Sequence, residues 1–174
     1  MLLGDKRRFA VEVGEWSGPE LRRVDLWVAG QWATCDDNTV FVPQFLRSVE
    51  ETVGDVRGGH GSDLSFAGVS AAEAHRRIVA GTGDEETDWE VRTRFVLFDA
   101  WGPTTDNVRA FLFRDGDAMV ITMEFRRPEH LLEHPDHVGR VFAAEIGAAE
   151  CTGILEDLVA ALHRCPGSAG PGLR

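Results

Sequence analysis

No stretch of this chain approaches the roughly 18 consecutive apolar residues that cross a bilayer. The opening Met1-Leu2-Leu3-Gly4-Asp5-Lys6-Arg7-Arg8 meets charge before any apolar run of signal-peptide length. Neither a membrane partner nor a secretory leader is expected. Cysteine is scarce as well. Cys35, Cys151 and Cys165 are odd in number, far apart and form no C-x-x-C. That excludes a disulfide framework or a zinc knuckle and fits a reducing compartment, so the expected location is the cytoplasm. Basic side chains are in deficit, 18 against 29 acidic ones, for a formal charge of −11. Affinity for nucleic acid comes from Lys and Arg that release counterions, so that partner class is excluded and a basic protein is favoured. Solubility alone is the competing reason for the acidic balance.

Catalytic signatures are equally sparse. There is no G-x-S-x-G. Gly58-Gly59-His60-Gly61 lacks the Gly-Lys-Ser/Thr ending of a phosphate loop and reads as part of a flexible loop over residues 55–65. Cys35 stands beside Asp36 and Asp37, whose charge raises a thiol pKa. Glu50 and Glu51 are adjacent in a predicted helix and point to different sides, unlike a glycosidase pair. The acidic run at residues 81–88 lacks the alternating oxygens and distal Glu of a calcium loop and reads as a solvated connection.

One literal match stands out. His130-Leu131-Leu132-Glu133-His134 is an H-x-x-E-H string. On a helix, His130 and His134 would share a face as zinc ligands while Glu133 served as base, which makes a small zinc-dependent hydrolase the alternative reading. Pro128 and Pro135 bracket the string, leaving little more than one helical turn. No other cofactor is expected.

What the chain does have is periodicity. Phe9, Val11 and Val13 alternate with Ala10, Glu12 and Gly14, and Val24, Leu26 and Val28 with Asp25 and Trp27, predicting an N-terminal hairpin. Residues 90–125 predict a three-strand meander through Phe95–Phe98, Arg109–Phe113 and Val120–Phe125, with a type I′ turn at Asp115-Gly116. A short helix follows Pro43 and stops at Gly54. A second, capped by the Ser70/Glu73 box, runs to Ala80. Residues 136–164 predict a long C-terminal helix. The expected fold is therefore α+β: an antiparallel sheet of about five strands, hairpin plus meander, packed by two short helices and the long one. One domain spans residues 1–165, and 166–174 form a disordered tail.

Five tryptophans, Trp16, Trp27, Trp32, Trp89 and Trp101, fall in or beside the predicted strands. Rigid aromatics next to carboxylates suit a protein interface, while filling sheet-helix gaps is their competing role. The partner-binding candidates by residue type are Trp27, Trp32, Asp36, Asp37, Trp89 and Trp101.

Gly4-Asp5, Arg8-Phe9-Ala10-Val11-Glu12 and Leu26-Trp27-Val28-Ala29-Gly30-Gln31 resemble the opening of an immunity-protein family from bacterial polymorphic toxin systems, the one numbered forty-two. The likeness is firmest over residues 1–50 and weaker over the meander. It implies a cytoplasmic protein that binds one cognate toxin domain and neutralises it by occlusion, with no catalytic residue. The zinc hydrolase and a non-catalytic structural or regulatory domain stand as the other readings.

Overall fold

In the computed structural model, which describes residues 1–62, 66–98 and 101–164, the N-terminal alternation forms β2 (Phe9–Trp16) and β3 (Leu21–Val28). They pair antiparallel in the register Val11↔Leu26 and Val13↔Val24. A short β1 (Leu2–Gly4) adds to the outer edge of β2. The far edge of β3 is shared. β4 (Gln31–Trp32) pairs at its C-terminal end through Trp27↔Trp32, and β5 (Thr39–Phe41) at its N-terminal end through Arg22↔Val40. These strands make a five-stranded antiparallel sheet.

The meander belongs to a second, three-stranded antiparallel sheet. β6 (Val108–Asp115) and β7 (Ala118–Phe125) pair from Val108↔Phe125 to Asp115↔Ala118. The register places Gly116 and Asp117 at the turn centre. Only the glycine has positive φ, +59°, which is the type II′ pattern and not type I′. The predicted run Phe95–Phe98 contributes one isolated bridge, Val96↔Phe111, and the third strand is instead β8 (Phe142–Gly147).

That strand corrects the expected long helix. Phe142, Ala144 and Ile146 are buried while Ala143 and Glu145 are exposed, a period of two concealed by the coincidence that Val138, Val141, Phe142 and Ile146 also fit helical spacing. Helix α5 (Ala148–Leu162) begins only after Gly147 and buries Cys151, Leu155, Leu158 and Leu162. Helix α1 (Val42–Arg57) starts beside Pro43 as expected but continues past Gly54 to Arg57, with Gly58 as its C-cap. Beyond it the glycine loop is pinned, not loose. Gly61 N–H donates to the Arg94 carbonyl at 3.2 Å, and Arg114 N–H donates to the Gly61 carbonyl at 2.9 Å. Helix α2 (Ala71–Ala80) is capped by Ser70, whose hydroxyl accepts from Glu73 N–H.

The acidic connection is also more structured than expected. Asp84 caps α3 (Glu85–Thr93) and accepts from Thr87 N–H. Glu85, Glu86 and Asp88 occupy its first turn, where the helix dipole favours negative charge. The expected tail, residues 166–174, lies outside the described residues.

One face of each sheet lines a common core with α1 and α5, built on Phe9, Leu26, Phe45, Leu112, Ile121 and Leu155. The opposite face of the smaller sheet, through Phe111 and Thr122, is covered by α2. There His75 is fully buried, its Nδ1 2.8 Å from Thr122 Oγ1.

Candidate functional site

On β3, Val24, Leu26 and Val28 point to the core, so Asp25 and Trp27 point outward. The β4 turn then folds back and lays Trp32 on Trp27, with ring centroids 5.9 Å apart and planes 13° from parallel. Lys6 Nζ stands 4.2 Å above the Trp27 ring and donates to Glu12 at 2.6 Å. Beneath the pair Asp25 is only 3% exposed. Its carboxylate accepts from Trp32 Nε1 at 3.0 Å, Asn38 Nδ2 at 2.7 Å and Arg23 Nε at 2.9 Å. One buried anion thus fixes the indole, the following loop and its own strand. Such preorganisation lowers the entropy lost on docking.

Asp36 and Asp37 lie exposed on the same loop. Asp37 accepts from Thr39 N–H at 3.0 Å, fixing the turn into β5. The Trp27 indole N–H is buried with no hydrogen-bond partner among the described residues. Four of the six candidates, Trp27, Trp32, Asp36 and Asp37, therefore share one region. Trp89 stands apart on α3, 63% exposed. Trp101 must be removed from a surface role, because it is 2% exposed, packs edge-on against Phe45 and donates to Thr52 Oγ1 at 2.9 Å. Asp25 escaped the sequence reading. An acid in mid-strand between two apolar residues was its only signal.

The histidine string follows β7 and packs beside that loop through His130 and Cys35. Helix α4 (Pro128–Glu133) supplies His130, which is buried with its ring stacked on Phe125 at 3.7 Å between centroids. Its Nδ1 lies 3.6 Å from Cys35 Sγ, and its Nε2 lies 3.0 Å from His137 Nδ1. Asn107 Nδ2 reaches Cys35 Sγ at 3.4 Å. Burial first, and the Asp36 carboxylate second, push the Cys35 thiol up to about 11. Burial and then the neighbouring His134 and His137 hold His130 below the usual imidazole range. Thiol and imidazole are therefore both neutral near pH 7, the opposite of an activated thiolate-imidazolium pair.

His130 and His134 do not form the expected ligand pair with Glu133. Two groups of donors come within ion-binding reach among the described residues: Cys35, Asp36 and His130, and separately His134, Asp136 and His137. Glu133 is exposed at the end of a helix of six residues and belongs to neither group. A groove between α2 and the β6–β7 hairpin offers no catalytic set either. Its walls are Phe66, Ala71, Ala74, Phe113 and Val120, with Arg114 and Asp115 at the rim.

A known structure shares this fold. It is CdiI from Burkholderia dolosa AUO158, similar to this chain with a TM-score of 0.61 and 14% sequence identity, over 92% of this chain and 99% of that one. No family model and no curated protein matches the chain. The numbered immunity family therefore rests on the resemblance of the opening residues alone. Among the described residues no helix is long and apolar enough to cross a membrane.

Proposed function

We propose that this chain is a cytoplasmic immunity protein, which binds a cognate toxin domain and neutralises it by covering it, without catalysis. The observation that carries the proposal is the Trp27–Trp32 pair, stacked and locked from below by Asp25 on an outward sheet face. Two independent likenesses support it. The opening residues resemble a toxin-immunity family, and the fold is that of CdiI, an immunity protein of a contact-dependent inhibition toxin system. The docking surface comprises Trp27 and Trp32 as anchors with Asp36 and Asp37 beside them, and exposed Trp89 on α3 as a separate candidate. With a net charge of −11, the favoured toxin is basic, since opposite charge speeds encounter and buried aromatics slow departure.

Co-expression with the toxin reading frame adjacent to its gene tests the proposal. Rescue of growth and co-purification are expected. A toxin that still kills, and that elutes separately from this protein, would overturn it. The zinc-hydrolase alternative is not favoured, because His130 and His134 belong to different donor groups and Glu133 faces solvent.

A further inference from the structure

The geometry points to a zinc-class metal site made by Cys35 Sγ, Asp36 Oδ1 and His130 Nδ1, with the fourth position open to solvent. Tetrahedral zinc holds sulfur at about 2.3 Å and imidazole nitrogen at about 2.0 Å, which sets the S···N edge at about 3.5 Å. The observed Cys35 Sγ to His130 Nδ1 separation is 3.6 Å, and Cys35 Sγ to Asp36 Oδ1 is 3.7 Å. All three donors lie within 4.8 Å of one another. An ion placed among them needs only small side-chain adjustments.

The surroundings suit a bound metal in three further respects. His130 presents Nδ1 to the site while Nε2 faces His137 Nδ1 at 3.0 Å, so Nε2–H can donate outward and fix the tautomer that frees Nδ1. Asn107, 1% exposed, aims its amide N–H at the sulfur and leaves its Oδ1 without a partner among the described residues. Donation to a metal-bound thiolate is the outer contact such a ligand uses. Charge also balances. On binding, the Cys35 thiol gives its proton to solvent, and one thiolate, one carboxylate and a neutral imidazole offset a divalent cation down to the net charge of zero.

Thiolate with imidazole selects zinc, cobalt or copper over magnesium or calcium. The bound ion would clamp the loop carrying Trp32, Asp36 and Asp37 to α4, two segments separated by 95 residues between Cys35 and His130. The site stands on its own donors, whether or not that loop docks a toxin.

The test is titration of the purified, reduced full chain with Zn2+ and Co2+, each as the metal alone. One equivalent is expected to bind, with near-ultraviolet thiolate-to-cobalt charge-transfer absorption and intense tetrahedral visible bands. Cys35→Ser should abolish the charge-transfer band, and His130→Gln should weaken binding at least about hundredfold. Asn107→Ala should weaken it about tenfold or more, and His134→Ala should leave it unchanged. Circular dichroism checks that each variant folds. In the wild-type protein, which needs no such check, failure to bind one equivalent, or cobalt bound without a thiolate band, would overturn the site. So would binding lost in His134→Ala but kept in Cys35→Ser.

Discussion

Asp25 shows how one side chain can hold an indole, a loop and its own strand together. It is buried on the outward face, and three donors satisfy it. Hydrogen bonds to a charged group contribute about 1.5–3 kcal/mol each, partly recovered by water when the partner is lost. Asp25→Ala is therefore expected to cost about 2–3 kcal/mol in urea unfolding. Exposed Asp36→Ala in the metal-free protein should stay within about 0.5 kcal/mol of the parent. A near-neutral Asp25→Ala would mean the network is not formed. At this scale the outward placement of Trp27 was legible from strand alternation. The burial of Trp101 was not, because a residue outside any strand or helix carries no periodicity, and only its packing on Phe45 and Phe98 decides its place.

Element by element, the strands and helices follow local pattern wherever one pattern is dominant. The β2–β3 hairpin and the Ser70 cap of α2 were readable for that reason. β8 was not, since its residues satisfy strand and helix spacing together, and only pairing with β7 through Met119↔Ile146 and Ile121↔Ala144 selects the strand. Helix α3 was missed because its acids look like a solvated loop, although the dipole makes them a helix start.

Two expectations belong to this scale. Asp88 on α3 accepts from Thr82 N–H at 2.6 Å, from the Thr82 hydroxyl at 2.8 Å and from Gly83 N–H at 3.2 Å. The Thr82 amide and hydroxyl, then the Gly83 amide, hold its carboxyl below the ordinary aspartate range. A depressed acid stabilises the fold above its unfolded pKa, and that contribution disappears as pH falls through the folded value. Amide exchange at Thr82 and Gly83 should therefore be slow at pH 6 and accelerate, beyond its intrinsic pH dependence, below about pH 4. Asp88→Asn should remove that acid-dependent acceleration. Gly61 is the second. Its φ is +81°, and an added Cβ would lie 2.5 Å from the Leu112 carbonyl oxygen. Gly61→Ala should destabilise by about 1–3 kcal/mol from backbone conformation alone, and by more once the clash is included.

For the molecule as a whole, two sheets around a common core leave the Trp27–Trp32 pair on an outward face of a chain of charge −11. Long-range attraction to a basic partner is screened over a Debye length of about 8–10 Å at physiological salt. The association rate with the toxin domain should therefore fall as salt rises while dissociation changes little. The α+β class and an antiparallel sheet built on the β2–β3 hairpin were legible in the sequence. Its division from a second sheet was not, because that depends on which strand edges meet after folding. The most direct test of the central claim is calorimetric titration of the adjacent-frame toxin domain with the wild type and with Trp32→Ala. A stacked anchor at the interface predicts at least about thirtyfold weaker binding, about 2 kcal/mol, with the rest of the fold intact by circular dichroism. Equal affinity of the two proteins for the toxin domain would contradict the assignment of this face.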